Sequence, residues 1–388
     1  MIYLDYNATT PLDPRVLEKM LPFFTEVYGN AASQHSAGMK AKKAVDHARE
    51  QIAELIGSTP QEIIFTSGAT ESINLAIKGL AGISQDRKHI VTVSTEHKAV
   101  LDVCAYLETI GFEVTYLPVQ TDGLLDIETV KDAIRPDTLL ISVMYVNNET
   151  GIIQPIQEIS TLAHAHGAFF MTDATQAVGK MPVDVEALGI DLMAFSAHKF
   201  YGPKGVGGLY VRSKRPFRVK IQPLQHGGGH EGSFRSGTLN VTGIVGMGEA
   251  CAIAQEEMTQ DAIRIGKLRD QLENELLEIP GSWVNGNRTQ RLYNVTNMGF
   301  EGVDADAVIT SLPNISMATG SACTAADVNP SHVLIAMGKN EDDAYGSLRL
   351  SLGKGTTKAE TKVFKEELKN LLKELRDMSF IQSGNDLL

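Results

Sequence analysis

The sequence has little of what marks a secreted, membrane-bound or nucleic-acid-binding protein. It holds three cysteines in 388 residues, Cys104, Cys251 and Cys323. They are too few and too scattered for a disulfide framework and fit a reducing, cytoplasmic compartment where a thiol stays free. No apolar run approaches the roughly 20 residues that span a bilayer, so no membrane association is expected. Met1 to Pro11 lack a basic stretch followed by an apolar one, which argues against a secretory signal. Positive charge is short as well: 35 Lys+Arg against 47 Asp+Glu leave a formal charge of −12. Neutralising phosphates takes a basic surface, so direct nucleic-acid binding is not expected. Internal repeats and low-complexity stretches are absent.

What is present is enough apolar sequence, 43%, to bury a sizeable core. The length corresponds to roughly two to three domains. Between about residues 60 and 215, short apolar runs alternate with helical patterns. The strand-like runs are Glu62–Phe65, His89–Val93, Phe112–Leu117, Thr138–Met144, Ala168–Met171, Asp191–Phe195 and Gly208–Val211. Between them lie helical candidates such as Ser72–Leu80, Val100–Ile110, Ile127–Ile134 and Ile156–His166. This alternation predicts an α/β fold with a mostly parallel seven-stranded sheet covered by helices on both faces. Leu139 to Met144 is apolar on both faces, as a buried parallel strand should be. A helical pattern from Ile244 towards Ile279 leads into a smaller α+β domain with strands at Arg291–Met298 and Ser347–Leu352. That domain closes on a charged helix, Thr357–Met378, and a short tail, Ser379 to Leu388. The expected division is a large domain at 13–255 and a small one made of 1–12 and 256–388.

Ligands of open α/β sheets sit outside the carboxyl ends of the strands, so the residues just after each run matter most. After the first run comes Thr66-Ser67-Gly68-Ala69-Thr70, small residues and hydroxyls at a helix start. They read as a phosphate site or as an ordinary helix cap. After the second comes His97, either a residue that stacks on a planar group or a surface histidine. After Ala168–Met171 comes Asp173, which suits a pyridinium N–H or a helix N-cap. After Asp191–Phe195 comes Ser196-Ala197-His198-Lys199, where a desolvated Lys199 suits Schiff-base chemistry. A phosphate cup, a stacking histidine, a carboxylate and an amine at four successive strand ends together match the needs of pyridoxal 5′-phosphate.

The motifs resemble those of the NifS/IscS-type cysteine desulfurases, in the class V aminotransferase group of fold-type-I pyridoxal-phosphate enzymes. The resemblance runs from Leu4-Asp5-Tyr6-Asn7 through Val146-Asn147-Asn148-Glu149-Thr150-Gly151 and Asp173-Ala174-Thr175-Gln176. It continues through His226-Gly227-Gly228-Gly229-His230-Glu231 and Gly320-Ser321-Ala322-Cys323-Thr324 to Arg349-Leu350-Ser351-Leu352-Gly353. It implies that Lys199 anchors the cofactor and moves the Cα proton. His97 would stack on the ring and exchange a proton. Asp173 would pair with the ring nitrogen, and Gln176 with the phenolic oxygen. Ala69, Thr70, Ser196 and His198 would hold the phosphate. Thr238 would reach the phosphate of a neighbouring subunit, which makes the enzyme a homodimer. Asn148 and Arg349 would grip the carboxylate of the L-cysteine substrate. Cys323 would accept sulfur as a persulfide and pass it to a sulfur-acceptor protein, by default an iron–sulfur scaffold.

Cys323 also stands out by its own surroundings. Small residues flank it on both sides, which fits an exposed loop at about 318–330 that carries sulfur between sites. Cys104 and Cys251 lie within helical patterns and read as buried thiols. In His226 to Glu231, three glycines between the histidines point to a backbone loop near a ligand, and no metal is expected there. Two departures from the resemblance are visible. Ala318-Thr319 and Ala325 replace the serines common around the cysteine motif, and Phe380 to Leu388 does not match a scaffold-docking tail. The rival readings are a selenocysteine lyase or another class V enzyme, and a scaffold protein that has lost turnover.

Overall fold

The computed structural model of the chain describes residues 1–319 and 329–385, with side chains to residue 377. Cys323 therefore lies outside the described residues. The chain opens on a two-residue strand, β1 (Ile2–Tyr3), followed by helices α1 (Pro14–Met20), α2 (Pro22–Thr25) and α3 (Ser36–Ile56). These helices precede the elements expected from the sequence. In α3 the buried residues Ala41, Val45, Ala48, Ile52 and Ile56 recur every three or four positions, a helical period that the sequence already displays.

Seven strands then form one sheet. They are β2 (Ile63–Thr66), β3 (His89–Val93), β4 (Glu113–Leu117), β5 (Thr138–Ser142), β6 (Phe169–Asp173), β7 (Leu192–Ser196) and β8 (Gly207–Val211). The helices between them include α4 (Ala69–Ala81), α5 (Lys98–Glu108), α6 (Ile127–Ala133) and α7 (Ile156–Ala165). The strand order is β2-β8-β7-β6-β5-β3-β4, and β8 runs antiparallel to both of its neighbours while the other pairs are parallel. Successive strand residues point to opposite faces. Val91, Ile141, Phe170, Met193 and Tyr210 enter one core, and Ile90, Leu140, Met171, Leu192 and Leu209 the other. Apart from the edge strand β4, where Glu113 and Tyr116 are exposed, both faces are buried, which is why these strands read as largely apolar runs.

Strand edges differ from expectation for local reasons. Glu62 belongs to the turn before β2, where its carboxylate accepts from Thr59 N at 3.1 Å and Ser213 N at 2.8 Å. The fourth expected run stops being strand at Ser142, because Met144 N turns to the Glu96 carboxylate. β6 extends further than expected, so Asp173 is its last residue.

Helix α8 (Val241–Leu277) spans 37 residues, about 55 Å at 1.5 Å per residue. Its first half packs Ile244, Met247 and Cys251 into the large core, and its second half packs Ile265, Leu272 and Leu276 into a separate one. Beyond it lie β9 (Ser282–Val284), β10 (Val295–Phe300), α9 (Ala305–Ser311), β11 (Ile315–Ser316), α10 (His332–Ala336), α11 (Glu341–Tyr345), β12 (Ser347–Ser351) and α12 (Lys358–Asn385). β9, β10 and β12 form an antiparallel sheet, and β1 pairs in parallel with β11. The expected strand at Arg291–Met298 starts late, because Arg291 pairs with Glu273 and Leu292 N bonds Gly151 O. The expected tail is corrected: α12 continues past Met378 to Asn385. Among the described residues, no helix is long and apolar enough to cross a membrane.

Candidate active site

The carboxyl ends of the large sheet open on a cleft of about 570 Å³. Ala69, Thr70, His97, Asn148, Asp173, Gln176, Ser196, His198, Lys199 and Arg349 all line it. These residues come from separate parts of the sequence, and strand packing brings them together.

One wall is the start of α4. Its N-cap, Gly68, offers no side-chain cap, so the first N–H groups of the helix face the cleft unclaimed by a capping oxygen. With the positive end of the helix dipole behind them, they suit an anion. Ser196, the last residue of β7, stands beside Gly68. The approach is tight: a Cβ on Gly207 would fall 2.6 Å from Gly68 Cα, so only glycine lets β8 start there.

Lys199 ends a short 3₁₀ turn, Ala197–Lys199, that follows β7 directly. Its Nζ donates to the main-chain oxygens of Asn7 and Ala8, both at 2.8 Å. Two residues on, Tyr201 takes a left-handed conformation with φ of 67°, which disfavours a side chain. Thr10 Oγ1 accepts from Tyr201 N at 2.8 Å, and Tyr201 O accepts from Asp13 N at 3.0 Å. The N-terminal segment thus clamps the turn that presents Lys199, a common way of holding backbone strain at a site.

Asp173 is buried, and its Oδ1 accepts from Thr175 N at 2.9 Å. Next to it, burial and the Asp173 charge hold the Glu96 carboxyl well above the usual carboxylate range. Glu96 lies buried behind the cleft, which Asp173 itself lines. His97 caps α5: its Nδ1 accepts from Ala99 N at 3.1 Å. With Nδ1 accepting, the proton of the neutral ring sits on Nε2. His198 pairs with Thr9 Oγ1 at 3.1 Å, and burial together with the Lys199, Lys204 and Lys180 charges lowers its pKa to about 4. His198 is therefore a neutral ring at ordinary pH.

On the far side, Arg349 projects from β12 and is buried. Its Nη2 donates to Asp5 Oδ1 at 2.8 Å and its Nη1 to Asn148 O at 3.3 Å, while its Nε has no partner among the described residues. Glu149 lies buried behind Asn148, and burial raises its pKa to about 7 against the opposing charges of Arg349 and His97.

Thr238 is exposed and is not part of the cleft wall of its own chain. Cys104 and Cys251 are buried free thiols, and burial raises both, Cys104 to about 12. Glu231 is a tether: its buried carboxylate accepts from Arg49 at 2.7 Å and from Phe65 N at 2.8 Å. Sequence reasoning assigned no role to Asn7, Glu96 or Lys180. Lys180 is buried, and burial with the Lys199 and Arg349 charges holds its amine well below the usual lysine range. A Lys four residues after Gln176 was a visible signal, because i and i+4 can meet even in a turn region.

The family model for Aminotransferase class-V matches residues 2–364. A Cysteine desulfurase IscS from Glaesserella parasuis serovar 5 is 53% identical over 384 residues, 97% of this chain and 94% of that protein. A solved structure titled NifS-like protein superposes with a TM-score of 0.90 at 38% identity, covering 96% of this chain and 99% of its own. Another, SspA in complex with cysteine, gives 0.80 at 40% identity, covering 92% of this chain and 100% of its own. A match of this extent, laid over a fold whose strand ends carry the expected lysine, aspartate and histidine, means that the chain belongs to the aminotransferase class-V family.

Proposed function

We infer that the protein is a pyridoxal-5′-phosphate-dependent cysteine desulfurase that converts L-cysteine to L-alanine and carries the released sulfur on Cys323. The observation that carries this reading is the convergence of Lys199, Asp173, the α4 N-terminus and Arg349 on one cleft. The donor set fits the cofactor. The uncapped helix start and the Ser196 and Thr70 hydroxyls suit its phosphate, Asp173 its ring nitrogen and Lys199 its aldehyde. The buried Thr175 Oγ1 belongs to the same cleft wall and has no partner among the described residues.

When bound, the cofactor supplies an electron sink for the pair left at the substrate Cα. Arg349 and Asn148 hold the substrate carboxylate, and the guanidinium fork matches its two oxygens. Asp173 would hold the cofactor's ring nitrogen and favour its protonated form. Lys199 Nζ takes the Cα proton, and the Asn7 and Ala8 oxygens keep the amine in place. His97, which lines the cleft, would offer its Nε2–H as proton donor. The Cys323 thiolate attacks the substrate sulfur. One S–S bond forms, the substrate Cβ–S bond breaks, and proton uptake at Cβ gives alanine without an external oxidant.

The enzyme works as a cytoplasmic homodimer, in which Thr238 reaches the phosphate bound in the other subunit. The exposed apolar side chains Leu17, Leu21, Phe24 and Tyr28, close together in the segment of α1, α2 and the residues after it, support a covered surface there. The chain divides into 13–255 and 1–12 with 256–388, supported by Leu4 packing with Ile265, Phe300, Leu350 and Phe364. The persulfide goes to an acceptor protein, with iron–sulfur cluster assembly as the default destination.

Incubating purified protein with L-cysteine tests the reading. We expect alanine, and a mass increment of one sulfur atom on the Cys323 peptide. Bound cofactor without alanine would overturn it and turn attention to selenocysteine as substrate.

A further inference from the structure

A buried amine that the proposed reaction does not use lies directly behind the cleft. Lys180 is 5% exposed and donates from Nζ to Gln176 Oε1 at 2.7 Å and to Asn7 Oδ1 at 3.4 Å. Gln176 in turn donates from Nε2 to the main-chain oxygen of Asn7 at 2.9 Å, the same oxygen that receives Lys199. Asn294 Nδ2 closes the network on Asn7 Oδ1 at 3.1 Å.

We propose that Lys180 is a positioning residue for the cofactor site, fixing the Gln176 amide so that its N–H edge faces the ring side of the cleft. This rests on the reading above, in which Gln176 meets the phenolic oxygen. The two ends of an amide differ only in being donor or acceptor, so the partners decide which way it points. A backbone carbonyl can only accept, and the Asn7 oxygen therefore selects the Nε2 end. An amine, charged or neutral, has N–H to donate and selects the Oε1 end. The second N–H on Nε2 is left for the cleft, which Gln176 lines. Without Lys180 the Oε1 atom would be a buried acceptor with no donor, a costly state. Gln176 would then turn to find one, setting a lone pair against the phenolic oxygen. The groups facing Lys180 are the Lys199 and Arg349 charges and, across a small internal cavity, Tyr201, Tyr293, Asp261 and Lys354.

The test titrates pyridoxal 5′-phosphate into apo wild type, Lys180→Met, Gln176→Ala and the double variant. Affinity and the absorption maximum of the bound cofactor are recorded. Losing one hydrogen bond to a charged group corresponds to about ten-fold weaker binding. We expect that loss in Lys180→Met, an absorption maximum moved in the same direction as in Gln176→Ala, and no further change in the double variant. Lys180→Arg, which keeps the donors, should restore the wild-type maximum, and it decides the matter if the Met variant does not fold. A wild-type maximum and affinity in Lys180→Met, additive effects in the double variant, or a shifted maximum in Lys180→Arg would overturn the inference alone. Wild-type protein that takes up no pyridoxal 5′-phosphate would overturn the underlying reading with it.

Discussion

Arg349 Nη2 lies 2.8 Å from Asp5 Oδ1, so the cation proposed to hold the substrate is itself held by a carboxylate 344 residues away in sequence. The pair occupies one guanidinium nitrogen, and Asn148 O takes part of another. Asp5→Asn should raise KM for L-cysteine about ten-fold by loosening the fork, with the bound cofactor's absorbance unchanged. Arg349→Ala should cost on the order of a hundred-fold or more in kcat/KM. Steady-state kinetics alongside an absorbance spectrum checks both. An unchanged KM in both variants would place the substrate carboxylate elsewhere.

His97 has two separable jobs. Its Nδ1 caps α5 at 3.1 Å from Ala99 N, and its Nε2 carries the proton offered to the cleft. Asn is a good N-cap but no acid–base group near neutrality. His97→Asn should therefore melt within about 1 kcal/mol of wild type, while turnover falls on the order of a hundred-fold or more. His97→Ala should lose both. Retained turnover in the Asn variant would remove His97 from proton transfer.

Glu149 gives a pH test of the buried wall. Its carboxyl is raised from 4.5 to about 7 in the folded protein, mainly by burial. Between those values the folded state binds the extra proton, so this contribution is fully present below about pH 4.5 and is lost as pH rises towards about 7. Glu149→Gln cannot titrate. The stability difference, wild type minus Glu149→Gln, should fall by up to about 3 kcal/mol between about pH 5 and 8, measured by denaturant unfolding. A flat difference would show that the site relaxes and lets water reach the carboxyl. His198, lowered to about 4, acts in the opposite sense, and comparing variants at one position cancels it.

The three cysteines should separate cleanly. Cys323→Ser should keep the cofactor absorbance and form no persulfide on L-cysteine. Cys251→Ser should keep the Cys323 persulfide but lose about 1–3 kcal/mol of stability, because it buries a hydroxyl where the thiol packed against apolar neighbours. Peptide mapping and thermal melts distinguish the two. A persulfide found on Cys251 would reverse the assignment.

Much of this was legible before any coordinates. Apolar runs marked the strands of the large sheet to within a few residues, because all but the edge strand β4 are buried on both faces and carry few polar positions to blur them. Ser196 to Lys199 and Asp173 were legible as site residues because a charged group directly after an apolar strand needs a partner. The helices before residue 60 have a clear period, but small residues such as Ala41 and Ala48 carry much of it and weaken the contrast. α12 ran past its expected end, since Ser379 to Gln382 contain no proline or glycine that would stop a helix.

Local period and turn chemistry sufficed for the alternating strands and helices and for the set of residues at their ends, because both act between neighbours in the chain. The tertiary structure alone decided which groups share a dielectric and a hydrogen bond. Asn7 receives Lys199 from 192 positions away, the Glu96 carboxyl is pushed up by burial beside Asp173, and Lys180 orients Gln176. Only the four-residue spacing of Gln176 and Lys180 is visible in the chain, and no spacing rule encodes the other pairings. They exist only once packing has excluded water, since an unpaired polar group is cheap in solvent and costly in the interior.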